Sequence, residues 1–312
     1  MADTLNRFSG PGSVGIYNDI VDEIYDINCA ETPFMDTAKG VAALVAKDFT
    51  HSWISRVYAN ATTNGYKVYD GKALTSFTPP TDTAYSNYVE QTCVPWSIGK
   101  GMEAIIKQGG KAGVTNALTD QVTSARATLK INNEASLVNG TPVANAATTE
   151  GAMGGIVYMA QTYGSSDTTL ASISAGETKF RTLLNTGANA GALQGNKQCL
   201  LCSHTNRDKI AQYWKGIADD VNTMAKDKTI EGSVDFYAHQ YGILTIQGHR
   251  ALASDDHSLV VYDTNDLGVA WLAPTQTIDY PLATVTAASG AEYNALTLQY
   301  DKPTTLIYAY VS

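Results

Sequence analysis

Residues 114–142 read VTNALTDQVTSARATLKINNEASLVNGTP. Val114, Leu118, Val122, Ala125, Leu129 and Leu137 recur at helical steps, with Thr, Ser, Asn and Lys on the opposite side. Asn116 is placed to cap the start, and Gly140 with Pro142 just beyond marks the end. About 22 residues at 1.5 Å each make a rod of about 33 Å. Only one side is apolar, so this helix is expected to lie along a sheet.

Outward from the helix the pattern changes period. Before it, Phe49, His51 and Trp53 alternate with Thr50, Ser52, Ile54 and Arg56, as in a strand. Residues Thr83–Trp96 alternate in the same way. Between the two lies Tyr58–Asp82, rich in Asn, Gly, Thr and Pro, with turn signals at Asn64-Gly65 and Asp70-Gly71. The simplest construction is a long two-stranded arm that needs a neighbour to lie on, because two isolated strands are marginal in water. Further upstream, residues 1–15 read as a Gly- and Ser-rich arm. Ile16–Ile27 has helical spacing, Pro33 sets a boundary near Thr32, and Met35–Ala46 is a shorter helical pattern.

After the helix come helical pieces at Gly155–Tyr163, Glu177–Thr186 and Asn206–Trp214. Strands are expected at Cys199–Ser203, Val234–Ala238, Gly242–Gln247, Ser258–Asp263, Val269–Ala273, Ala295–Tyr300 and Thr304–Val311. The last is apolar on both faces, as in a strand covered on both sides. The chain has no internal repeat. The fold class is α+β, with helices early and strands late.

Bulk composition narrows the function. The 312 residues carry 21 basic and 30 acidic side chains, a net charge of −9, which opposes a grip on nucleic-acid phosphates. Charged residues make up 16%, below the usual ~25%, so partner subunits are expected to cover part of the surface. No run of about 18 apolar residues is available to span a membrane, and the N-terminus does not read as a secretory signal. The four cysteines read as reduced intracellular thiols.

Each catalytic or ligand motif reads more simply as structure. Gly10-Pro11-Gly12-Ser13-Val14-Gly15 has the dinucleotide-loop spacing without a preceding strand. Cys199 and Cys202, three apart in a strand, point to opposite faces, which opposes zinc or redox use. Asp255-Asp256-His257 is a solvated turn. Asp263–Gly268 begins like a calcium loop, but Leu267 takes a ligand position and Pro274 stands where the bidentate Glu belongs. No catalytic residue, cofactor or metal site is assigned.

The order of parts resembles the major capsid proteins of tailed phages, with the Hong Kong 97-type fold. Asn28-Cys29-Ala30-Glu31-Thr32-Pro33-Phe34-Met35 is similar to a Glu-Thr-Pro-Phe run in one branch of that family. Leu129–Gly140, with Glu134, resembles the end of its spine helix. Tyr241–Ile246 and Leu259–Asp263 resemble strands of its axial domain, and Glu292, Leu296, Leu298 and Pro303 its final strand pair. The resemblance implies an N-terminal arm (1–47), an E-loop (48–98), a P domain (99–150 and 283–312, spine helix about 115–139) and an A domain (151–282). It implies a non-enzymatic virion protein, made in the bacterial host cytoplasm. Such subunits self-assemble as hexamers and pentamers into an icosahedral head enclosing double-stranded DNA, with portal, scaffolding and decoration proteins as further partners. The chain begins almost at the arm, so scaffold would be a separate protein or already removed. Phe34, Trp53, Asn64, Gly65, Lys67, Lys72, Arg126 and Lys130 are the expected assembly residues. Lys67 and Lys72 lie on the E-loop, but no Asn and Glu can be assigned to complete a cross-link, and none is expected. An encapsulin-type compartment is the alternative within the fold, and an enzyme or surface-binding protein the alternative outside it.

Overall fold

The computed structural model describes residues 32–39, 44–58, 70, 79–101, 104, 117–170, 173–189, 191, 198–210, 236–239, 242–252, 258–279 and 286–311. The expected arm, the helix at 16–27 and the hairpin tip at 59–69 and 71–78 lie outside these residues. Helix α1 is Pro33–Lys39, strand β1 Leu44–Val45, β2 Thr50–Val57, β3 Thr81–Tyr88 and β4 Glu90–Gly99. The long helix α2 is Ala117–Asn139, followed by α3 at Ile156–Tyr163. Ala125, Leu129, Leu137 and Val138 are buried on its inner side, at the spacing read from the sequence. Gly140 follows the last turn, but for a different reason from the one expected. A Cβ there would sit 2.5 Å from the Met153 carbonyl oxygen, so glycine lets the chain leading into α3 pass close by.

Helix α2 lies on a four-stranded sheet of order β1-β10-β11-β4, where β10 is Leu267–Asp279 and β11 is Thr286–Tyr300. Both strands run longer than the alternation predicted. The added stretch of β11, residues 286–294, reads TAASGAEYN, without apolar periodicity. Antiparallel pairing with β10 on one side and β4 on the other gives its backbone partners instead. Two local expectations change. The helix expected at Met35–Ala46 ends at Lys39, and Leu44–Val45 pairs parallel with β10. The strand expected at Thr83–Trp96 divides at Val89, which is fully buried and donates its N–H to the Phe49 carbonyl. Before that point the chain pairs with β2, and after it with β11.

The second sheet has order β5-β12-β9-β6-β8-β7. Its strands are β5 Ser165–Leu170, β6 Gln198–Cys202, β7 Phe236–His239, β8 Gly242–Gly248, β9 Ser258–Asp263 and β12 Ile307–Val311. Helix α4, Ile173–Asn189, covers one face with Phe180, Leu183 and Leu184 over Leu200, Cys202, Leu244, Leu259 and Ile307. The other face meets α1, α2 and α3 through Leu201, Val260 and Tyr262, with Cys199 packed against them. The two cysteines therefore point to opposite faces, and β12 lies between β5 and β9. Sheet membership crosses the expected segment boundaries. Strand β10 joins β11 and β4, while the closing strand β12 joins β9 in the other sheet.

Candidate assembly site

Strands β2 and β3 form a separate two-stranded ribbon, in register from Thr50 opposite Tyr88 to Val57 opposite Thr81. Its inner face begins with His51, Trp53 and, across the ribbon, Asn87 and Tyr85. The aromatic rings make a ladder: His51 to Trp53 at 6.0 Å, Trp53 to Tyr85 at 6.2 Å, and Tyr85 edge-on to Tyr163 at 5.2 Å. Burial pushes the Tyr163 phenol up from its ordinary value.

Polar groups complete the mounting. The Asn87 Nδ2 donates to the carbonyls of Gly154 and Leu298, both at 2.9 Å, and its Oδ1 accepts from Gly154 N at 2.8 Å and Tyr88 N at 2.9 Å. Gln299 Nε2 donates to Asp301 Oδ1 at 2.7 Å, so its Oε1 is the acceptor facing His51 Nε2 at 2.6 Å. The Ser55 hydroxyl donates to the Asp301 carbonyl. The ribbon's base is thus built into its own subunit, contrary to the expectation that the whole arm leans on a neighbour.

The ribbon is open on its outward face and beyond Ser55. Ile54, Val57 and Tyr58 are 69%, 64% and 77% exposed. Between them Arg56 pairs with Asp82, its register partner, at 2.7 Å. That hydrogen bond holds the Asp82 carboxyl below its ordinary range and the Arg56 guanidinium above its own. The pair is neutral, so the projecting ribbon presents three exposed apolar side chains beside a charge-balanced one.

The expected assembly residues separate into three groups. Phe34 is fully buried, edge-on to Tyr262 at 5.6 Å, and Trp53 is in the ladder, so both make their contacts inside the chain. Arg126 is half exposed but turns inward: its Nε donates to Glu292 at 3.0 Å and its Nη2 to the Thr277 hydroxyl at 3.0 Å. Glu292 is fully buried and also accepts from Thr277. Lys130 is exposed on the outer side of α2. Asn64, Gly65, Lys67 and Lys72 lie outside the described residues, as does Asp255-Asp256-His257. Asp263 and Asp266 are used structurally: Asp263 Oδ1 accepts from Asn265 N, and Lys302 Nζ reaches Asp266 at 2.9 Å. Asn87, Gln299 and Asp301 were not singled out by sequence reasoning. The available signal was an Asn at an inward strand position among aromatics.

Among the described residues, no group of three or more His, Cys, Asp or Glu could hold a metal ion, and no helix is long and apolar enough to cross a membrane. A helix along one sheet, a second sheet beside it and a mounted, projecting ribbon agree with the order of parts expected of a capsid fold, and solved phage capsid structures share that fold. The chain is similar to the solved Cyanophage A-1(L) capsid asymmetric unit at 14% identity, covering 93% of this chain and 96% of that one, with a TM-score of 0.58. It is similar also to the capsid of Cyanophage P-SCSP1u (13% identity, 98% of each chain, TM-score 0.58) and to Gordonia phage Cozz (12%, 96% and 93%, TM-score 0.58). No curated protein matches by sequence. The family described as SU10 major capsid protein matches residues 2–307, and the chain belongs to it. It is a structural protein of the phage head shell, and its place is the capsid of the virion.

Proposed function

We propose that the chain is the repeating unit of an icosahedral head, assembling as pentamers and hexamers around double-stranded DNA. In this reading the β2–β3 ribbon is the E-loop. Helix α2 with the four-stranded sheet forms the P domain, the six-stranded sheet with α4 forms the A domain, and the segment before β1 is the arm. Portal, scaffolding and decoration proteins are further partners. The work is association rather than turnover.

The observation that carries the proposal is the division of the ribbon into an inward face buried at its base and an exposed apolar outward face and end. A rigid base sets the angle at which Ile54, Val57 and Tyr58 reach a neighbouring copy. Three such side chains at about 1.5–3 kcal/mol each supply roughly 5–9 kcal/mol per ribbon before the costs of association. Repetition of modest contacts in a closed symmetric shell then accumulates stability. The net charge of −9 suits a container that confines DNA without gripping it.

Negative-stain electron microscopy with light scattering tests this on the full chain and on a variant lacking Thr62–Pro79. The full chain is expected to give closed shells or rings of five or six. The deletion variant is expected to fold, because its ribbon base is mounted on its own subunit, yet to form no stable shells. Normal shells from the deletion variant would overturn the role given to the ribbon.

A further inference from the structure

The buried side of α2 carries one residue out of keeping with its pattern. Leu129, Asn133 and Leu137 stand about one turn apart in a single row, and all three are buried. Asn133 puts an amide where the row calls for an apolar side chain. Its Oδ1 is enclosed without a hydrogen-bond partner among the described residues. The sheet beneath repeats the exception. On β11, Glu292, Asn294, Leu296 and Leu298 alternate onto the buried face that α2 covers. Asn294 is 1% exposed, and neither its Oδ1 nor its Nδ2 meets a partner among the described residues. Two contacts fix how helix and strand run past each other. Arg126 meets Glu292 at 3.0 Å, and Ser136 meets Glu90, the register partner of Leu296, at 2.7 Å. Between these contacts the helix covers about 15 Å and the strand about 13 Å. Asn294, midway along the strand, therefore falls within about 3 Å of the level of Asn133 along the helix axis. The sheet also opens beside Asn294. Ala273 is opposite Ala295 and Gln276 is opposite Tyr293, so Pro274 and Thr275 together face Asn294 alone, a bulge in β10. Both bulged residues are exposed.

We infer that Asn133 and Asn294 hold ordered water between α2 and the sheet. Burying an amide without a hydrogen bond costs free energy, and here two such amides stand at the same level of one interface. Their chemistry selects the ligand. Asn133 Oδ1 and Asn294 Oδ1 accept, while Asn294 Nδ2 donates, so the guest must both donate and accept. A metal cation would face the Asn294 N–H groups, and an anion would face two oxygens. Water can serve all three atoms, and three is the usual number of bonds for an enclosed water. The carboxylates on either side already have their own donors. Glu292 accepts from Arg126 and Thr277, and Glu90 accepts from Ser136 and the Met153 amide. The bulge at Pro274 and Thr275 supplies room beside Asn294 and a way to solvent, by which the water exchanges. Water then joins helix to sheet at a level where the leucine row by itself would make a dry contact.

Electron microscopy of the assembled head, detailed enough to show ordered water, tests this directly. Density is expected at hydrogen-bond distance, about 2.7–3.2 Å, from Asn133 Oδ1 and from an amide atom of Asn294. A direct Asn133–Asn294 hydrogen bond, or no density between the two, would overturn the site. Urea unfolding of dissociated subunits gives a second reading. Asn133→Leu and Asn294→Leu each leave the water and the other amide short of a partner. Each is therefore expected to raise the unfolding equilibrium constant about threefold to tenfold. The double variant removes both polar ends, so its effect should fall short of the product of the two by about threefold or more. Two dry amides would behave otherwise. Each leucine would then remove an unpaired buried group and stabilise the chain, and the two effects would multiply. Stabilisation by either single leucine, or simple multiplication in the double variant, would refute the water. If a single variant does not fold, the density decides alone.

Discussion

Replacing Asn87 by Ala should dismount the ribbon. The side chain is 4% exposed and has four backbone partners: the Gly154 and Leu298 carbonyls and the Gly154 and Tyr88 amides. All four lose a hydrogen bond together. At about 1 kcal/mol net each, the loss is about 4 kcal/mol, a large share of an ordinary domain's stability. Asn87→Asp separates hydrogen bonding from shape. It keeps the acceptor for the two amides but turns an oxygen toward two carbonyls, so it should cost at least as much as Ala despite its near-identical volume. Equilibrium urea unfolding of dissociated subunits, read at constant slope, gives both values. Loss of under about 1 kcal/mol for Asn87→Ala, or an Asp variant more stable than the Ala variant, would refute the reasoning. Small-angle scattering should also show a broader envelope in either variant, since the ribbon's angle is set where Asn87 holds it.

Three further outcomes are expected. Leu129→Asp puts an unpaired charge beneath α2 at a fully buried position and should abolish the cooperative thermal transition, as scanning calorimetry would show. Arg126→Met leaves Glu292 buried with only the Thr277 hydroxyl. Because Arg126 is 53% exposed and screened, the loss should be modest, about 1–2 kcal/mol in the same urea assay. Burial pushes the Cys202 thiol up to about 12, so near pH 8 it carries essentially no thiolate. Peptide mapping after a thiol reagent should find exposed Cys93 labelled in the native chain and Cys202 labelled only after unfolding.

The local elements of this protein were written in the sequence wherever one face is apolar and the other polar. Helix α2 was legible because Ala125, Leu129 and Leu137 repeat at the helical period, and β2 because His51 and Trp53 alternate with Ser52 and Ile54. The opposite orientations of Cys199 and Cys202 followed from strand geometry alone. The order of these elements was enough to suggest the capsid fold. Long-range pairing was not legible. That β4 leaves β3 at Val89 to join β11, and that β12 closes the sheet of β9 rather than that of β11, depends on backbone hydrogen bonds, which every residue type but proline offers alike. That Glu134 accepts from the Phe34 amide was hidden for a related reason. The Glu-Thr-Pro-Phe run and Glu134 were each noticed, but the bond between them spans 100 residues and links a side chain to bare amides. Periodicity reports which face of an element is buried. Which element buries it, and which backbone groups a polar side chain then meets, was decided only when the chain packed.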